Sequence, residues 1–209
     1  MKMSVIGASA GVGLEVVKRA LQRGHAVTTL SRRVDSLPDH ASLTKVRGSS
    51  TNAPDVKLAV QDAQVILVAL GTGNSTKATT LYTDSSRILL AVLRELGATP
   101  PLIVLTGFGA GDSWSYNSCL MKVIFNLLLK AVYADKSAME RYVTTHHPSW
   151  EMIRPGRLTN GPMTGHYRVL RDLTPGMRVG AISRADVAHF MVAEAEHPAQ
   201  LGAYPALTY

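Results

Sequence analysis

Residues 5–21, VIGASAGVGLEVVKRAL, set three glycines, Gly7, Gly11 and Gly13, between an apolar run and a helix-periodic one. Glycine lets the chain turn sharply and brings backbone N–H groups against a ligand with no side chain intervening. A helix opening just after that turn leaves its first N–H groups unpaired and aims its positive dipole end at the same point. Those donors suit a phosphate or diphosphate. Ser9 adds a hydroxyl and Val12 stands between the last two glycines. Strand, glycine turn and helix, in that order, are the context in which the pattern binds dinucleotides, whereas an isolated glycine turn would be merely structural.

The end of the second apolar run bears on which dinucleotide. A carboxylate there would bond the adenosine ribose hydroxyls and repel a 2′-phosphate. The chain instead reads Ser31-Arg32-Arg33. Guanidinium groups make charge-assisted, often bidentate bonds to phosphate, so NADPH/NADP is expected over NADH. The plain alternative is a solvated basic loop. Ligands of parallel sheets lie beyond the carboxyl ends of the strands, which brings two later loops to the same place. One is ALGTG at 69–73, with Leu70, Gly71 and Thr72; the other is LTGFGAGDSW at 105–114, with Thr106, Gly107 and Phe108.

The elements that must hold these loops are legible as alternating periods. Apolar runs at 2–6, 26–30, 42–46, 64–70, 101–106, 150–154 and 177–182 predict strands. Leu14, Val17 and Leu21 before Gly24, and Leu89, Val92, Leu93 and Leu96 before Gly97, predict helices with glycine stops. SRAD at 183–186 resembles a capping box ahead of Val187, Phe190 and Met191. Alternation of this kind predicts an α/β fold of Rossmann type: a doubly wound, mostly parallel sheet with helices on both faces. Residues 1–209 are expected to form a single domain. PGRLTNGPMTG at 155–165 begins a loop or substrate-covering segment, around 155–176. The stretch 119–133, CLMKVIFNLLLKAVY, is apolar around too much of a helix for one stripe; core, pocket lining and contact with a second subunit as a homodimer all remain open.

Twenty-two lysines and arginines against 15 acids give a formal charge of +7 over 209 residues. The cations are scattered and no nucleic-acid motif accompanies them, so nucleic acid is not an expected partner. No long uncharged apolar stretch predicts a membrane span, and MKMSVIG lacks the form of a signal peptide. Cys119 is the sole cysteine, which excludes an internal disulfide and suits a cytoplasmic location. The seven histidines show no metal-ligand spacing, so no metal is expected. His146-His147 before Pro148 predicts a turn, and His166 a solvent-facing loop residue.

GASAGVG, ALGTG, RPGRL (154–158), GPMTGHY (161–167), ISRADVAHFMV and AYPALTY together resemble the atypical short-chain dehydrogenase/reductases with an NAD(P)H-binding, NmrA-like core. Within that group the chain is most similar to the biliverdin and flavin reductases. The resemblance implies phosphate contacts from Gly7, Ser9, Gly11, Val12 and Gly13, and the 2′-phosphate on Arg32 and Arg33. It implies ribose-side contacts from Leu70, Gly71 and Thr72, nicotinamide contacts from Thr106 and Gly107, and a loop Pro155-Gly156-Arg157-Leu158 over the carboxamide. An acid used near adenine in the family falls at Ser49 here.

The departures concern chemistry. Ketone-reducing members use Tyr-x-x-x-Lys, whereas VYADK puts Tyr133 three residues before Lys136 and Val132 four before it. On a helix that shift turns a side chain by about 100°. Gly107 and Arg157 stand where the related reductases have a serine and a histidine near substrate. A glycine at 107 would leave room for a flat acceptor, and Arg157 could bind an acidic substituent. Thr106, Lys136 and Arg157 are thus the catalytic candidates. The expected activity is hydride transfer from NADPH to a planar small-molecule acceptor, a flavin, biliverdin or a quinone, since a flavin can draw its proton from solvent. The alternative is a nonenzymatic NADP(H)-binding redox sensor of the NmrA-like type; nucleotide-sugar epimerisation is a third, weaker option.

Overall fold

The computed structural model describes residues 1–73, 75–117, 122, 127, 129–174 and 177–209. Its strands are β1 (Lys2–Ile6), β2 (Ala26–Ser31), β3 (Leu43–Arg47), β4 (Val65–Val68), β5 (Leu102–Leu105), β6 (Trp150–Pro155), β7 (Arg157–Thr159), β8 (Arg168–Leu170), β9 (Ala181–Ser183) and β10 (Ala206–Thr208). Its α-helices are α1 (Gly11–Gln22), α2 (Ala53–Val60), α3 (Leu81–Glu95), α4 (Lys130–His146) and α5 (Arg184–Glu196), with a 3-10 turn at Gly111–Tyr116. The main sheet runs β3-β2-β1-β4-β5-β6-β10-β8, parallel except for β8 against β10. The order reverses between β1 and β4, which opens a crevice at their carboxyl ends.

Successive residues of the central strands face opposite layers. Val5, Leu67, Ile103 and Ile153 meet α1 and α5 through Val16, Val187 and Met191. Ile6, Ile66, Val104 and Met152 meet α2, α3 and α4 through Val56, Leu93 and Met139. Both faces are covered, which is why these strands read as unbroken apolar runs. No helix of the described residues is long and apolar enough to cross a membrane.

Two expectations change. The run 177–182 yields only β9, which leaves the main sheet and pairs with β7; β10 takes the place beside β6. The cause is a close backbone crossing: a Cβ at Gly156 would lie 2.3 Å from the Gly180 carbonyl oxygen, and Arg157 N donates to that same oxygen. The segment 155–165 therefore contains a strand, β7, and is not loop throughout. His147 is buried against Pro100, whose carbonyl pairs with Nε2 at 2.8 Å, so it locks a loop. Cys119, Met121, Ile124, Phe125 and Leu128 lie outside the described residues, so the three assignments of 119–133 stay open.

Glu151 sits on β6 fully buried, and neither carboxyl oxygen has a hydrogen-bond partner among the described residues. Burial, reinforced by the nearby Glu194 carboxylate, pushes it up to about 8, so it is protonated in the folded state at neutral pH. An unfolded glutamate releases its proton near pH 4.5, so the folded state binds the extra proton between about 4.5 and about 8. Stability from this group is complete below that window and is lost as pH rises through it. Glu151→Gln should therefore flatten the decline, with a gain in denaturation midpoint at pH 9 well above that at pH 5. Equal shifts at both pH values would refute this.

Candidate active site

Residues at five adjacent strand ends, β3 to β5 in sheet order, line a cavity of about 780 Å³ at the β1/β4 crevice. The glycine turn forms its floor. Gly7 has φ +89°, and a Cβ there would meet the Ala69 carbonyl oxygen at 2.7 Å. Gly11 opens α1 with φ +58°, and its Cβ direction points to free space beside Arg184. Gly13 does not line the cavity; a Cβ there would stand 2.1 Å from the Gly7 carbonyl oxygen, so it lets α1 pack onto the strand end. Ser9 and Val12 line the floor.

At one end stand Ser31 and the exposed Arg32, with Ser49, Ser50 and Thr51 beyond. The Ser31 hydroxyl accepts from Ala8 N at 2.8 Å, which fixes the glycine turn from the second strand. Arg33 is exposed and not on the cavity wall. Leu70, Gly71 and Thr72 form the side facing the turn.

The other end is built on α4. Asp135 accepts from Tyr82 N and Thr83 N and so caps α3; Ser137 accepts from Gly111 N; Glu140 holds the buried Arg154. These anchors fix the helix around Lys136, whose Nζ donates to the Thr106 carbonyl at 2.7 Å. The ammonium also lies over the rings of Tyr82 and Tyr133, 5.3 and 4.9 Å from their centroids. Burial lowers Lys136 to about 8, against the opposing pull of Glu140. Burial likewise raises Tyr133 to about 12. Lys136 is thus a held, inward-pointing amine, and not a solvated helix lysine.

Tyr133 and Lys136, three apart, share the helix face on the cavity. The room at Gly107 is taken by this tyrosine: a Cβ at 107 would lie 2.7 Å from the Tyr133 hydroxyl. Gly107 therefore admits Tyr133, and not a flat acceptor as the sequence suggested. Of the loop after β6, Leu158 lines the cavity, whereas Pro155, Gly156 and the exposed Arg157 do not. The Pro155 carbonyl is taken by Phe108 N and Gly156 N donates to Leu207, so both serve the sheet. His166 is exposed. Among the described residues no group of three or more metal-ligating side chains converges.

Sequence reasoning missed Asn160, Tyr82 and Arg184 on this wall. A usable signal existed for one: the SRAD cap places Arg184 at the first turn of a helix. Ser183 does accept from Asp186 N at 2.9 Å.

The profile of an NAD(P)H-binding family matches residues 7–198. The chain belongs to this family. Its parallel strand order, β3-β2-β1-β4-β5-β6, is that of the Rossmann-type dinucleotide-binding fold. Three solved structures illustrate the likeness. ChuY, an anaerobillin reductase from Escherichia coli O157:H7, is 23% identical with a TM-score of 0.79, covering 100% of this chain and 97% of its own. A short-chain dehydrogenase/reductase from Veillonella parvula DSM 2008 in complex with NADP is 16% identical with a TM-score of 0.82, covering 100% and 94%. SP1627 from Streptococcus pneumoniae TIGR4, provisionally named an NADH-flavin reductase, is 21% identical with a TM-score of 0.81, covering 100% and 99%. At these identities the likeness is one of fold.

Proposed function

We propose that this chain is an NADPH-dependent reductase that passes a hydride to a planar conjugated acceptor such as a flavin, with linear tetrapyrroles and quinones as the related acceptors. The observation that carries the reading is a cavity with a glycine turn and Arg32 at one end and a held amine, Lys136, at the other. The floor fits a dinucleotide: Gly11 leaves open the space that any side chain would invade. When bound, NADPH supplies the hydride, and the acceptor takes up that hydride and one proton.

The chain's own residues position and polarise. Thr106 fixes the Lys136 amine through its carbonyl, leaving two further N–H bonds for ribose hydroxyls or the acceptor. Lys136, lowered to about 8, is also a proton source near neutral pH. Tyr133, raised to about 12, keeps its proton and offers a neutral hydroxyl. Leu158 and Asn160, from the covering segment, line the same cavity. Arg157 lies off the wall and is assigned no step. ChuY's reductase activity, although from a distant relative, is consistent with a flat, conjugated acceptor.

Protein mixed with NADPH and FMN should bleach absorbance at 340 nm faster than the protein-free blank. The rate constant kcat/KM should fall as pH rises through about 8, where the ammonium is lost, and Lys136→Met should remove that limb. No acceleration with flavins, biliverdin or quinones would overturn the reading.

A further inference from the structure

We infer that Arg184 binds the diphosphate of the dinucleotide, on its nicotinamide-side phosphate. This rests on the cofactor reading above and extends it to a residue outside the glycine turn.

Arg184 is the first residue of α5 and is partly buried. Its Nε and Cδ lie 3.8 and 4.0 Å from where a Cβ on Gly11 would stand, so the side chain flanks the residue that opens α1. Its Nη1 donates to Asn160 Oδ1 at 2.7 Å, a neutral amide that orients the guanidinium without cancelling its charge. The same side chain lines both the 780 Å³ cavity and a neighbouring groove of about 580 Å³, and so stands at the neck between them. A cation beside the positive end of a helix is unfavourable alone and becomes favourable with an anion between the two.

The side from which it approaches selects the phosphate. Helix α5 packs on α1, on β4 and on β5, the strand that leads into Thr106, and less on β2, the strand that leads to Arg32. The mounting is rigid. Buried Asp186 accepts from Thr164 N, Gly165 N, the Thr164 hydroxyl and the Tyr209 hydroxyl, tying the segment that carries Asn160 to the start of α5. These bonds outweigh burial and hold the Asp186 carboxyl below its ordinary range. The competing assignment is an anionic arm of the acceptor, since the groove also carries Lys18 and Arg19.

Calorimetric titration with ligand fragments separates these. NADPH and 2′-phospho-ADP-ribose contain both diphosphate groups, while 2′,5′-ADP contains only the adenine-side one. Arg184→Gln should weaken the first two about 10- to 100-fold, as loss of a charge-assisted contact does, and leave 2′,5′-ADP within about threefold. Arg184→Lys should recover part of the loss. If Arg184→Gln misfolds by its melting curve, Asn160→Ala should show the same ligand pattern, weaker. Unchanged binding of 2′-phospho-ADP-ribose overturns the inference, including the case in which only the acceptor KM rises. Should the unsubstituted protein ignore all three ligands, the cofactor reading itself falls and the inference with it.

Discussion

Arg154→Ala is expected to lower stability by roughly 3–5 kcal/mol, the usual result of stripping one partner from a buried ion pair. For a chain of this size that corresponds to a melting temperature lower by about 6–20 °C. Arg154 is 1% exposed, donates to both oxygens of Glu140 at 3.1 and 2.7 Å and to Asp112 at 2.6 Å, and stacks over Tyr204. Glu140 is itself 2% exposed, so the substitution leaves a carboxylate in the core with its guanidinium partner removed. Pairing Arg154→Met with Glu140→Gln should restore a large part of the loss, because no net charge then stays buried. The consequence reaches the site, since Glu140 lies one turn beyond Lys136 on α4. In Arg154→Ala any residual activity should fall with kcat more than with KM for NADPH. An unchanged melting curve would show that the network contributes no net stability.

Arg32→Asp should weaken NADPH about 100-fold or more and move preference toward NADH, judged by the ratio of kcat/KM for the two. One charge-assisted contact to phosphate accounts for much of this, and repulsion by the new carboxylate for the rest. Arg33→Asp should do far less, about tenfold at most, because only Arg32 lies on the cavity wall and an exposed charge is screened by salt. The two arginines are equivalent in the sequence and unequal in space. Equal effects of the two substitutions would contradict that difference.

Which features could be read from residues alone follows from range. Gly7, Gly11 and Gly13 announce themselves by their spacing between an apolar run and a helix-periodic one, although their spatial neighbours include residues as distant as Ala69 and Arg184. Even so, Gly13's role as a packing contact on Gly7 required the fold. The parallel core strands were legible because both faces are covered and the runs are apolar. Strand β10 was not, since three residues, Ala206–Thr208, carry no period and pair with β8 and β6, whose partner residues lie between 36 and 52 positions away. Gly107 misled for the same reason: its reason for lacking a side chain is Tyr133, 26 positions along and on another element. Glu151 hid inside a strand-like run, where only its neighbours reveal that its charge has no support. Arg184 was visible as a helix start but not as a neighbour of Gly11, a contact made by bringing α5 onto α1.

Everything chemical here depends on a dinucleotide lying across the β1/β4 crevice with its 2′-phosphate against Arg32. Isothermal titration of the folded chain with NADPH and, separately, NADH tests that most directly. A saturable isotherm for NADPH, with NADH weaker by at least about tenfold, is the expected result. Flat isotherms for both at millimolar concentration, or indistinguishable affinities, would contradict it.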